Sequence, residues 1–150
     1  MEPTTRAATL DDAAAIQRLN RDDLGYDHPL ESVTEALTEA LSSPRDRVLV
    51  AELDGEVVGY VHGEEYRLLY ERPMVNVLGI AVSDTARQRG AGRALLTELE
   101  AWAHSRGAHA LRLVSGDTRP GAHAFYGRLG FAPVKTQVNF RKPLERGGIP

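Results

Sequence analysis

Three arginines and two glycines crowd into the seven residues Arg87-Gln88-Arg89-Gly90-Ala91-Gly92-Arg93. They follow the apolar run Val77-Leu78-Gly79-Ile80-Ala81-Val82 and the polar turn Ser83-Asp84-Thr85-Ala86, and they lead into Ala94-Leu95-Leu96. This reads as a buried strand, a turn, a basic glycine loop and the start of a helix. Such an order offers backbone N–H groups, the positive end of a helix and guanidinium groups to one anion. Glycine lets the backbone come close to that anion. The spacing predicts a pyrophosphate there.

Two common phosphate loops do not match. A P-loop needs G-x-x-x-x-G-K-[ST], and the chain contains no such string. A dinucleotide fingerprint needs G-x-G-x-x-G directly after a strand. Here Leu95 stands where the third glycine belongs, and the loop begins several residues after the apolar run ends.

The elements that must position this loop follow from periodicity. Thr4 to Ala8 reads as a first strand, and Thr9-Leu10-Asp11-Asp12 as a helix entry with aspartates at the positive end. Ala13, Ala14, Ile16 and Leu19 form the apolar stripe of that helix. Asp22 to Pro29 is a loop, and a second helix runs from Leu30 to Leu41 with Val33, Leu37 and Leu41 on one face. Arg47 to Leu53 and Glu56 to Glu64 flank Asp54-Gly55, a strong hairpin turn. Tyr66 to Pro73 is a connection, and Met74 to Val82 is apolar enough for a strand covered on both faces, with Gly79 marking a bulge. Gly90 to Ser105 is a helix with Leu95, Leu96, Leu99, Trp102 and Ala103 inward and Gly107 as its stop. Ala110 to Ser115 is a strand, Gly121 to Leu129 a helix, and Ala132 to Arg141 a last strand region, counted as one or as two short strands. The order β-α-α-β-β-β-α-β-α-β predicts an α/β or α+β fold on a mixed sheet. It forms one domain over residues 1–144, with 145–150 frayed.

Composition narrows the function classes. The chain of 150 residues carries 18 basic and 21 acidic residues, a net charge of -3, and no cysteine. Thiolate catalysis, disulfides and cysteine-bound zinc are excluded. The acidic balance argues against a nucleic-acid partner. No run approaches the ~18 apolar residues of a membrane span, and the N-terminus lacks a signal-peptide core, so a cytoplasmic protein without a membrane partner is expected.

Arg87, Gly90 and Gly92 satisfy R/Q-x-x-G-x-G/A, and Ala122-His123-Ala124-Phe125-Tyr126-Gly127-Arg128-Leu129-Gly130-Phe131 satisfies A-x-x-F-Y-x-x-x-G-F one helix and one strand later. With both signatures in this order, the chain resembles the GNAT N-acetyltransferase superfamily. The resemblance implies a GNAT-like sheet splayed between its fourth and fifth strands. It also implies acetyl-CoA as cofactor, with no metal, and direct attack of a small-molecule or peptide amine on the thioester in a ternary complex. By resemblance Arg87, Gln88, Arg89, Gly90, Ala91, Gly92 and Arg93 wrap the pyrophosphate. The backbones of Ile80, Ala81 and Val82 pair with the pantetheine arm, and the Ile80 N–H is an oxyanion donor. Tyr126 takes the position of the tyrosine that protonates the CoA thiolate. Arg119 stands where the family often has Asn, and is either a CoA phosphate contact or a solvated loop residue.

The base is less plain. Many relatives carry Glu at the position of Asn76, and Asn cannot accept the proton of an attacking amine, although it can orient water or substrate. His62 and Glu64, alternating with Tyr60 on one face of the third strand, are candidates for it, as are Asp27 and His28 in the helix–helix loop. The resemblance places Leu24, Gly25, Tyr26 and the stretch from Tyr66 to Tyr70 at the acceptor. Asp22, Asp23, Asp27, Glu64 and Glu65 would suit a cationic amine. A homodimer is compatible with the fold. The competing reading is a non-catalytic acyl-CoA sensor of the same fold.

Overall fold

The computed structural model describes residues 2–115 and 120–144. The chain divides after Val114 into two compact units. In the first, a five-stranded sheet has the order β1-β2-β3-β4-β5. The strands are β1 (Thr4–Ala7), β2 (Asp46–Leu53), β3 (Glu56–Tyr66), β4 (Met74–Val82) and β5 (Leu111–Arg112). The first three pairings are antiparallel, and β4 and β5 run parallel. The helices of this unit are α1 (Ala13–Leu19), α2 (Leu30–Ser42) and α3 (Ala91–Ser105).

The hairpin between β2 and β3 turns through Asp54 and Gly55, whose φ values of 54° and 79° are both positive. Two positive φ angles in a two-residue loop match the strand twist, and Asp-Gly adopts them readily. The side-chain alternation of β3 then divides the core. Tyr60 points with Val48, Val50 and Ala81 into a cluster closed by Ile16 and Leu19 of α1 and Leu37 and Ala40 of α2. Gly59 and Gly63 lie on the opposite face, under Leu95 and Leu99 of α3. The inward face of α2 is therefore Val33, Leu37 and Ala40, whereas Leu41 is exposed. Ala14 of α1 is exposed as well.

At the start of α1, Asp12 has a larger role than complementing the helix dipole. Its carboxylate is buried and takes two hydrogen bonds of 2.8 Å from the Arg6 guanidinium, and Oδ2 also accepts the Thr9 N–H at 2.8 Å. The Arg6 hydrogen bond holds the Asp12 carboxyl below the usual carboxylate range. This ion pair ties β1 to the entry of α1.

Several expected elements differ, and β5, expected over Ala110 to Ser115, is only Leu111–Arg112. Residues 22–24, expected in the loop from Asp22 to Pro29, instead continue α1 as part of a π-turn (Asn20–Leu24) closed by Gly25 at φ 80°. The last strand, Ala132 to Arg141, is not formed among the described residues. Its apolar residues Val134, Val138 and Phe140 are exposed. A strand needs a partner edge for its N–H and C=O groups, and the second unit has no other strand among its described residues. That unit contains α4 (Pro120–Arg128). Among the described residues no helix is long and apolar enough to cross a membrane.

The close packing over Gly63 gives a stability test. A Cβ on Gly63 would lie 2.7 and 3.0 Å from the two Leu99 methyls and 3.2 Å from a Val75 methyl, and both side chains are fully buried. Gly63→Val is expected to overpack this layer and lower unfolding stability by about 1–3 kcal/mol, read as a reduced urea midpoint at unchanged slope.

Candidate active site

The site is built around the free edge of β4. β3 pairs with β4 along its length, but β5 pairs only with Val75 and Asn76. The Ser83 N–H donates to Val58 O at 2.8 Å and so faces β3. By alternation, the N–H and C=O of Val82 face the other way. The Val82 N–H donates to Asp23 Oδ2 at 3.3 Å, and the Val82 carbonyl accepts from Arg87 Nε at 3.3 Å. Ile80, two residues back in the same register, has its N–H on the same edge, beyond the reach of β5. Just before it the register slips: His62 pairs with Gly79 but Gly63 with Val77. Leu78 is the extra residue of a bulge and is exposed, not covered as the apolar run suggests.

The basic stretch is more ordered than a loop. Asp84–Arg89 forms a 3-10 turn, with Ala86 fully buried and its N–H on Ser83 O at 3.0 Å. Gly90 follows at φ 88° and is the N-cap of α3. A glycine cap brings no side-chain oxygen, so the first-turn N–H groups of α3 have no such acceptor. Ala91 and Gly92 are buried, whereas Gln88, Arg89 and Arg93 are exposed. Arg87 is held by Asp84 at 2.8 Å, by Asp23 and by the Val82 carbonyl. Asp23, on the π-turn after α1, thus touches both the β4 edge and the basic turn. Sequence alone suggested it only as an attraction for a cationic amine.

A second group lies on the sheet face that carries α1 and α2. Across it, Glu64 pairs in register with Asn76, and Asn76 with Arg112. Arg112 donates to Asn76 Oδ1 at 3.0 Å and sits 4.9 Å over the Tyr66 ring. Tyr66 is therefore the end of β3 and not part of a connection. Next along β3, His62 Nε2 lies 2.7 Å from Asp46 Oδ1. His62, Tyr60, Asn20 and His28 line the polar part of a cleft of about 260 Å³ whose remaining walls include Ile16, Val33, Leu37 and Val48. The Tyr60 hydroxyl donates to Asn20 Oδ1 at 2.5 Å, and burial pushes this phenol up to about 12. Tyr60 is thus a fixed donor at neutral pH. Its oxygen lies 3.6 Å from where a Cβ on Gly79, next to the bulge residue, would be.

The acceptor residues expected from the helix–helix loop separate. Leu24 packs against the core, and Gly25 ends the π-turn. Tyr26, Asp27 and His28 are exposed, and Gln17 Nε2 holds the loop by donating to His28 O at 3.0 Å. Tyr70 is exposed. Three of the five expected acids are engaged by arginine. Asp22 pairs with Arg21 at 2.9 Å and Asp23 with Arg87. Glu65 pairs with Arg106 at 2.7 Å, and Arg106 holds its buried carboxyl below the usual range. Asp27 and Glu64 have no ion pair among the described residues. Asp46 and Arg112 carried no spacing signal; only the strand register brings them to His62 and Asn76.

In the second unit, α4 carries Tyr126 between Phe125 and Phe131, with ring centroids 5.5 and 5.8 Å away. The Tyr126 carbonyl accepts the N–H groups of Leu129 and Phe131, each at 3.0 Å, and Gly130 reverses the chain at φ 95°. Arg119 lies outside the described residues, as do residues 145–150.

A mixed sheet that opens beside its fourth strand, followed by a glycine-capped helix, is the architecture of an acetyltransferase. Residues 13–131 match the Acetyltransferase (GNAT) family, and the chain belongs to that family. It is 34% identical, over 95% of both chains, to an aminoglycoside N(6')-acetyltransferase type 1 of Stenotrophomonas maltophilia. A transcriptional regulator from Bacillus halodurans C-125 superposes with a TM-score of 0.84 at 25% identity, over 94% of this chain and 100% of that one. The aminoglycoside acetyltransferase AAC(6')-Iy, in complex with a bisubstrate analog of CoA and acetylneamine, shares the fold with a TM-score of 0.85 at 19% identity, over 95% and 99%.

Proposed function

We propose that this acetyltransferase transfers acetyl from acetyl-CoA to a primary amine on a small molecule of low charge. The observation that carries the cofactor is two sets of backbone donors with no partner among the described residues, the Ile80 N–H on the β4 edge and the first-turn N–H groups of α3, with Gly90 giving close approach. These donors fit a ligand that combines amides with a pyrophosphate. Gln88, Arg89, Ala91, Gly92 and Arg93 would hold the pyrophosphate, and the edge-facing backbone of Ile80 and Val82 the pantetheine, whereas Ala81, expected to join them, turns its backbone to Tyr60 of β3. Acetyl-CoA supplies an activated acetyl thioester.

The chain's own groups then divide the proton work. A primary amine is largely protonated at neutral pH, with a pKa near ~10. His62 accepts its proton from the cleft side, and Asn76, fixed by Arg112, orients the acceptor or a water. The Ile80 N–H is aimed where negative charge develops on the carbonyl oxygen. Tyr126 returns a proton to the departing sulfur. The 6'-amine of aminoglycosides is the acceptor named for the relative from Stenotrophomonas maltophilia. Here arginines neutralise Asp22, Asp23 and Glu65, and the cleft walls are mostly aliphatic. Both features favour a monoamine with an apolar body over a polycation.

Thiol release from acetyl-CoA with neamine, spermidine, tyramine and a peptide with a free N-terminus tests this reading. Tyramine is expected to react fastest. Preference for neamine or spermidine would refute the low-charge acceptor, and no thiol release with any of them would refute transfer to these amine classes. A second outcome concerns Asp23, whose carboxylate competes with the cofactor for Arg87 and the Val82 N–H. Asp23→Asn is expected to bind coenzyme A about three- to tenfold more tightly by calorimetry.

A further inference from the structure

We propose that Asp46 is a positioning residue for the reaction, holding His62 so that Nδ1 presents its lone pair to the cleft. The inference rests on His62 as the base and adds a residue to that reading. Asp46 opens β2, and the register Val48↔His62 and Asp46↔Glu64 places it diagonally across from His62 on the same sheet face. Diagonal cross-strand neighbours are within reach when one side chain is long. The contact is short, 2.7 Å from Nε2 to Oδ1, and the Asp46 side chain is only 12% exposed.

The carboxylate is committed to this contact. Its neighbour Arg45 reaches instead to Glu65, donating to its carbonyl at 3.3 Å. Among the described residues His62 is the ion-pair partner of Asp46. The Asp46 N–H is tied to Ser43 O at 3.3 Å, which anchors the start of the strand.

A carboxylate accepts hydrogen bonds and does not donate them. Nε2 therefore carries the hydrogen, and Nδ1 is the basic nitrogen. No protein hydrogen bond engages Nδ1 among the described residues. The His62 side chain is 28% exposed, so Nδ1 is open to water or to a bound amine. One ring nitrogen is fixed, and the other is left to the cleft that His62 lines. When the attacking amine gives its proton to Nδ1, the N–H bond of the amine breaks and an Nδ1–H bond forms. The resulting imidazolium faces the Asp46 carboxylate, which stabilises that charge without taking the proton. The exposed side of His62 then passes the proton to solvent.

The test reads the tautomer directly. In the full chain labelled with 15N-histidine, and with the His62 signals assigned by their loss in His62→Gln, wild-type His62 at neutral to mildly alkaline pH is expected to show the Nε2–H form. Asp46→Asn is isosteric and can donate an amide hydrogen to Nε2, so the Nδ1–H form should grow. With whichever of tyramine, spermidine or neamine turns over fastest, kcat in Asp46→Asn should fall by about tenfold to a thousandfold. KM and coenzyme A affinity should stay within about twofold, and Asp46→Glu should recover part of the loss. A wild-type Nδ1–H tautomer, or an Asp46→Asn variant with unchanged tautomer or unchanged kcat, would overturn the positioning role. If His62→Gln is slow while Asp46→Asn is not, the Asp46 role alone fails. If His62→Gln keeps full kcat, the base assignment fails and takes the Asp46 role with it.

Discussion

The short pairing between β4 and β5 governs what this chain can bind. Only Val75 and Asn76 find partners on β5. Past that point the outer edge of β4 carries N–H and C=O groups that find no strand partner among the described residues. Unpaired backbone at a sheet edge invites either another strand or a ligand. The chain meets part of this demand internally: Asp23 and Arg87 cover Val82. The bulge at Leu78 twists the strand before the open stretch. The edge then leads into the turn that ends at the glycine cap of α3. An amide-bearing arm and a phosphate-bearing end would meet these groups in that order.

The alternation of β3 separates the support of the site from its chemistry. One face is dry and tight, with Gly59 and Gly63 small enough to admit Leu95 and Leu99. That packing fixes α3, and hence its N-terminus, against the sheet. The other face carries Tyr60, His62 and Glu64, and next to them Asn76 and Arg112. Helices α1 and α2 cover only part of it, which leaves the cleft. The same strand therefore anchors α3 and presents the polar groups. A slip of one residue in its register would exchange the two faces.

Much of this was legible in the sequence. The apolar run to Val82, the glycines at 90 and 92 and the amphipathic pattern after them fixed the β4–α3 unit, because glycine punctuation and hydrophobic period are local properties. The hairpin at Asp54-Gly55 was legible for the same reason. What escaped depends on partners far along the chain. Asp46 meets His62 and Arg112 meets Asn76 only through strand register. The π-turn at 20–24 has a loop-like composition, yet Asn20 is tied by the Tyr60 hydroxyl across the sheet. Two of the acids that suggested a cationic acceptor are paired with Arg87 and Arg106, which local sequence does not reveal.

The account turns on the open edge of β4 and the start of α3 acting together as one cofactor groove. Amide hydrogen exchange, resolved by NMR with and without saturating coenzyme A, measures this most directly. The N–H groups of Ile80, Ala91, Gly92 and Arg93 should exchange more slowly in the bound protein, while the already paired Ala86 and Ser83 change little. Unchanged exchange at Ile80 and along the first turn of α3, with coenzyme A demonstrably bound, would contradict the account.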